Sequence, residues 1–212
     1  SAASRSAAAA LGNLAGAKAP LLAAVKALVV LGTPFLGSLA AFQALRAENG
    51  ALTLLRLCGG KTPAEIEETV QTFRGLFDLL PGDQEALLKP ALYAPGPLSR
   101  LPAGDVRFGS PAALVRDLPP GLWERTRAVV CTTRDTAGVA VVREDGAVDY
   151  APQVAGDGTV PASSALNGGK LAFGSREVEQ EHMTLPLDGE AIRCTVEWIA
   201  GQFGMPAVRS SG

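Results

Sequence analysis

The chain is poor in the side chains that most enzyme chemistry draws on. It has a single histidine, His182, in 212 residues. A histidine-based metal cluster is thereby excluded, and any imidazole catalysis must use that one ring. The three cysteines, Cys58, Cys131 and Cys194, are too few and too scattered for a disulfide framework or a zinc site. They read as buried apolar residues. Charge of one sign is missing too: 19 basic residues face 21 acidic ones, for a net charge of −2. Nucleic acid needs a concentrated basic surface, so no such partner is expected. No apolar run reaches the ~18 residues of a membrane span. The best stretch, Leu21 to Leu36, is broken by Lys26, Gly32 and Pro34. There is no internal repeat.

What is present suits a folded domain. Apolar residues make up 47% of the chain and charged ones 19%, enough for a sizeable core and unlike a disordered chain. Residues 1 to 17 read as an Ala-rich helix. The run from Lys26 to Leu31, bounded by Gly32 and Pro34, reads as a buried parallel strand. Helix followed by strand points to an α/β sheet. Residues 39 to 125 look mostly helical. Thr62-Pro63-Ala64-Glu65 carries the signs of a helix start, and Ile66, Val70, Phe73, Phe77 and Leu80 fall on one face. Further helical pieces are expected over 84 to 88, 110 to 118 and 122 to 125. Gly60-Lys61-Thr62 looks like the end of a phosphate loop, but Leu55 stands where that motif needs a glycine. A helix N-terminus explains it.

Sheet signals return at Arg127 to Thr133. Val139 to Val142 and Ala147 to Tyr150 flank a hairpin turn. Lys170 to Phe173 reads as a short strand. Asp188 caps a last helix, with Ile192, Val196 and Ile199 expected on its core face.

Three segments follow one another near strand ends. They are Leu31-Gly32-Thr33-Pro34-Phe35-Leu36-Gly37-Ser38, Gly156-Asp157-Gly158-Thr159-Val160-Pro161 and Glu181-His182-Met183-Thr184-Leu185-Pro186. In open α/β sheets, reactive groups collect at the carboxyl ends of strands. An aspartate in a glycine-flanked loop followed by a histidine matches the later part of the order Ser, Asp, His. In that chemistry the histidine takes the proton of a serine hydroxyl and the carboxylate fixes its tautomer. Asp135, after the strand at Arg127 to Thr133, is a competing acid.

These segments resemble the α/β-hydrolase superfamily, and within it the lecithin:cholesterol acyltransferase-like and GPI-inositol-deacylase-like lipases. The resemblance covers roughly residues 20 to 200, including a cap-like phrase from Thr72 to Pro81. Gly156-Asp157-Gly158-Thr159-Val160-Pro161 is its most specific piece. It implies the carboxyl-terminal portion of an α/β-hydrolase fold. Residues 1 to 38 and 126 to 212 would belong to the hydrolase core, and 39 to 125 to a mostly helical cap. It also implies a serine-type acyl ester hydrolase or acyltransferase, with Asp157 and His182 as catalytic residues and no metal or organic cofactor. The apolar cap residues Leu76, Phe77, Leu79, Leu80, Leu87 and Leu88 fit an acyl ester or lipid-like substrate.

One family feature is missing. The chain has no Gly-x-Ser-x-Gly elbow, and Ser38, Ser110, Ser163, Ser164 and Ser175 have the wrong neighbours. The expected position of the elbow is at or just before residue 1, with Arg5 in the helix behind it. The nucleophile is then a serine just upstream, or Ser1 itself. A preceding segment or a second chain would complete the sheet. The other open reading is a non-catalytic hydrolase-like module that binds a ligand or partner.

Overall fold

The computed structural model describes residues 24–48, 50–77, 79–81, 120–142, 148–150 and 153–204. The helices expected over 1 to 17, 84 to 88 and 110 to 118 lie outside the described residues. So do Ser1, Arg5, Leu87, Leu88 and Ser110, and the side chain of Phe77.

The chain is a mixed α/β protein with a small parallel sheet. Strand β1 (Leu28–Leu31) is followed by helices α1 (Leu39–Leu45), α2 (Gly50–Gly59), α3 (Pro63–Gln71) and α4 (Arg74–Phe77). Helix α5 (Pro120–Glu124) leads into β2 (Thr126–Val130), β3 (Arg134–Ala137), β4 (Ala140–Val142), β5 (Val148–Tyr150) and β6 (Gln153–Gly156). Helix α6 (Ala162–Ala165), strand β7 (Ser175–Glu177) and the long helix α7 (Gly189–Gln202) complete it.

The parallel sheet has the order β1-β2-β7. Leu28 pairs with Thr126 and Leu31 with Val129, while Ala128 pairs with Ser175. Alternation sends successive side chains to opposite faces. Val30, Ala128 and Val130 join Phe35, Leu122 and Leu171 on one face. Val129 joins Val178, Leu185 and Ala191 on the other, with Leu31 and Trp198 packed against them. Strands β3 and β6 form an antiparallel pair, and β4 and β5 form the expected hairpin.

A third cluster holds the helices. Leu39, Phe42, Leu45, Ile66, Val70 and Leu80 pack with Ala140 of the hairpin. Val148 and Tyr150 pack against the same cluster, and the Tyr150 hydroxyl donates to Glu48. Burial and the Glu48 carboxylate beside it hold the Tyr150 phenol well above its ordinary pKa. Helix α3 starts as its sequence directs. Thr62 accepts from the Glu65 N–H at 3.3 Å, and the Glu65 carboxylate accepts from the Thr62 N–H at 2.8 Å.

Four expectations need correction. The apolar stripe starting at Ile66 does not belong to one helix: α3 ends at Gln71, and Phe73 is exposed in the break before α4. Lys170 to Phe173 is not a strand. It is a turn entering a 3-10 helix at Ala172–Gly174, and β7 begins only at Ser175. Helix α7 buries Ala191 and Cys194 rather than Ile192, Val196 and Ile199, which are 49%, 43% and 42% exposed. Ala191 joins the cluster of Val129, Val178 and Leu185, so the small residues take the core face. Cys58 is exposed, while Cys131 and Cys194 are buried.

Candidate active site

Strand β6 ends in Gly156, and the chain must turn at once to enter α6. Gly158 makes that turn at φ +84°, a region that disfavours side chains. Asp157 lies between the two glycines and is 2% exposed. Its Oδ1 accepts from the backbone N–H of Thr159 at 3.0 Å and of Val160 at 2.6 Å. Such a local carboxylate-to-backbone bond is what makes aspartate a turn residue. Its Oδ2 is left facing His182, with Nδ1 at 2.8 Å. A buried carboxylate is costly unless its lone pairs are filled, and here three donors fill them.

His182 comes from the loop between β7 and α7. Its backbone N–H donates to the Asp157 carbonyl at 3.0 Å, so the two loops are joined through main chain as well as side chain. Fully buried Leu185, three residues on, anchors the turn in the sheet cluster. A carboxylate oxygen accepts, so Nδ1 carries a proton, and in the neutral ring Nε2 keeps its lone pair. The pair therefore has the form of a general base with its orienting acid.

The strand-end loop after β1 closes beneath this pair. Gly32, at φ +52°, passes so near that an added Cβ would lie 2.8 Å from Asp157 Oδ2 and 3.0 Å from His182 Nδ1. Glycine there is a requirement of packing as well as of backbone angle. The loop is pinned by Ser164, whose hydroxyl accepts from Leu36 N–H at 3.0 Å and donates to the Gly37 carbonyl at 2.6 Å. The Ser38 hydroxyl donates to the Thr159 carbonyl. All three sequence segments thus meet at one corner.

A cleft of about 320 Å³ opens beside the pair, lined also by Arg134, Asp135, Gly158, Thr159, Glu181 and Met183. Asp135 is therefore near, but the hydrogen-bonded partner of His182 is Asp157. Among the described residues no serine hydroxyl is bonded to His182. Ser38 and Ser164 are buried and engaged elsewhere, Ser175 donates to the Ala172 carbonyl, and Ser163 is exposed. Of the apolar residues expected to receive an acyl chain, Leu80 is buried in the helical cluster, with Leu76 and Leu79 packed against it. Met183 is the exposed apolar side chain at the cleft.

Sequence reasoning missed the supporting residues. Thr136 and Ser164 carry no motif signature, because each acts through a contact made only in the folded chain, and the role of the Thr159 and Val160 amides inside the glycine-flanked motif shows only there. Among the described residues no group of three or more His, Cys, Asp or Glu side chains is placed to hold a metal. No helix among them is long and apolar enough to cross a membrane. No protein-family model matches this chain, and no curated protein matches it either.

Proposed function

We propose that Asp157 and His182 are the acid and base of a serine-type acyl ester hydrolase or acyltransferase built on the carboxyl-terminal part of an α/β-hydrolase fold. The observation that carries this reading is the 2.8 Å contact between Asp157 Oδ2 and His182 Nδ1. It lies beyond the carboxyl ends of parallel strands, beside an open cleft. A buried carboxylate with both other bonds satisfied fixes one ring tautomer and leaves Nε2 as base.

The chemistry follows from that geometry. Nε2 removes the proton of a serine hydroxyl as its oxygen attacks the ester carbonyl. The imidazolium returns the proton to the departing alcohol, leaving an acyl-serine. Water or a second alcohol then attacks the acyl group while Nε2 takes its proton, and the imidazolium returns that proton to the serine oxygen as the acyl–serine bond breaks. No metal or organic cofactor is needed for these steps. The serine belongs to a segment preceding β1 or to a second chain that completes the sheet. Among the described residues β1 pairs with β2 alone, which leaves its other edge to receive such a strand. The substrate is an acyl ester or a lipid-like ester, with Met183 as an apolar contact at the cleft.

A second reading, a hydrolase-like module that binds without catalysis, is favoured by one observation: no serine among the described residues reaches His182. A fluorophosphonate probe separates the two. The full chain, with any co-purifying chain, is labelled and the tagged peptide mapped. A tagged serine upstream or in the companion chain, lost in His182→Ala, is the expected result. A tag on Ser1 would make this chain the enzyme by itself. No tag in a folded sample overturns the catalytic reading.

A further inference from the structure

Asp157 is aimed by its loop, and the loop is fastened to the sheet at one side chain outside the three sequence segments. Thr136 lies inside β3 and is 1% exposed. Register places Arg134 opposite Gly156 and Thr136 opposite Val154, so β3 runs alongside the strand that delivers Asp157. The Thr136 hydroxyl accepts from the backbone N–H of Gly158 at 2.9 Å and donates to the Arg134 carbonyl at 3.2 Å. One hydroxyl has one proton to give and lone pairs to receive, and both capacities are used here.

The side chain also fills the space where Gly156 has no Cβ. An added Cβ there would lie 2.4 Å from Thr136 Oγ1 and 2.8 Å from Thr136 Cβ. Thr136 thus touches the residues on both sides of Asp157: it packs on Gly156 and bonds Gly158. Asp157 between them is held to its own loop by the Thr159 and Val160 amides. Those two bonds fix the carboxylate within the loop; they do not fix the loop to the sheet.

We propose that Thr136 is a positioning residue, its hydroxyl holding the Gly156–Val160 turn so that Asp157 Oδ2 stays in line with His182 Nδ1. This rests on reading Asp157 and His182 as an acid–base pair, and its test does not need turnover. Without the hydroxyl the Gly158 N–H loses its acceptor and the turn gains freedom. The Asp157 carboxylate then swings relative to the ring, and the Nδ1 proton is held for a smaller share of the time.

Ring-labelled NMR on the full chain reads this directly, because His182 is the sole histidine. In the wild type the nitrogen shifts should report the Nδ1-protonated tautomer and a protected, far-downfield ring proton. Thr136→Val keeps the shape and removes the hydroxyl. It should raise exchange of that proton with water about tenfold and mix the tautomers, in keeping with loss of one buried hydrogen bond. Thr136→Ser keeps the hydroxyl and should restore both signals. Unchanged exchange and tautomer in Thr136→Val overturn the proposal, even if the melting temperature falls, because a merely structural role would do that. Loss of the signals in Thr136→Ser overturns it too, since the methyl group would then be what matters. Should Thr136→Val not fold, Thr136→Ala replaces it in the same comparison with Thr136→Ser. Probe labelling of the wild type reports separately on catalysis. A chain that takes no probe but loses the His182 proton in Thr136→Val fails the catalytic reading and keeps this one.

Discussion

The segment from Leu39 to Leu80 is held by volume. Leu39, Phe42, Leu45, Ile66, Val70 and Leu80 share one buried cluster. The corner around Asp157 is held by single bonds: Thr159 and Val160 amides to one oxygen, His182 to the other, and Thr136 and Ser164 fastening the flanking loops. Packing is non-directional, so it supplies stability without aiming anything. Hydrogen bonds add little net free energy each, but they fix angles. On the proposed catalytic reading, the region that points a nitrogen lone pair is built from the second kind. Damage to the two regions should therefore separate: geometry fails first at the corner, stability first in the helices.

The largest effect should come from Asp157→Asn. The amide keeps an oxygen for the Thr159 and Val160 N–H groups, but turns an NH₂ toward Nδ1. That favours the opposite tautomer and puts the proton on Nε2, where the base is needed. Turnover or probe labelling should fall about 10⁴-fold while the melting curve moves little. A loss below tenfold would break the comparison, because the corner would not then depend on that bond. Phe42→Ala should do the reverse. Phe42 is buried in the helical cluster, and truncation there should cost about 3–5 kcal/mol in a denaturant titration. The His182 ring signals in the folded fraction should be unchanged.

The same contrast explains what could be read from the sequence. Local signals were legible: Thr62 and Glu65 close the capping box, Asp188 caps α7, and the hairpin at Ala140–Val142 and Val148–Tyr150 forms as patterned. Asp157 could be singled out because glycines flank it, and His182 because it is the one histidine and follows Asp157 in the expected order. Thr136 could not, since a threonine in a strand is ordinary until Gly158 folds against it. Helix α7 misled because it carries two apolar rows. Periodicity finds both and cannot choose between them; tertiary packing chooses, with Ala191 seated among Val129, Val178 and Leu185 and Cys194 also buried. Phe73 misled because spacing alone carried the stripe across the α3–α4 break.

A smaller effect should come from the start of α3. Thr62→Ala removes the acceptor for the Glu65 N–H and should cost about 1 kcal/mol. The Thr62 backbone and side-chain donors and nearby Lys61 hold the Glu65 carboxyl below its ordinary pKa. A carboxyl depressed in the folded state stabilises above its unfolded pKa, and that contribution is lost as pH falls through the folded value. In the wild type, helix stability should drop on acidification below the ordinary carboxylate range. Glu65→Gln should flatten that slope in a pH series of melting curves. The His182 signals should not respond to either change, because the capping box lies outside the corner.

The smallest effect should come from the exposed row of α7. Ile192, Val196 and Ile199 recur at spacings of four and three, on a side of the helix away from Ala191 and Cys194. Arg193 bonds Glu190 and Glu197 on yet another side. Substitution at exposed positions that make no special contact moves stability by about 0.5 kcal/mol or less. Ile192→Gln with Ile199→Gln should therefore leave the denaturation midpoint nearly unchanged in the isolated chain. It should also reduce self-association, since a row of exposed apolar side chains is an adhesive surface. A loss of several kcal/mol would mean that this row is covered in the folded chain. Helix α7 would then belong with the regions held by volume, as a second packed face beside the helical segment.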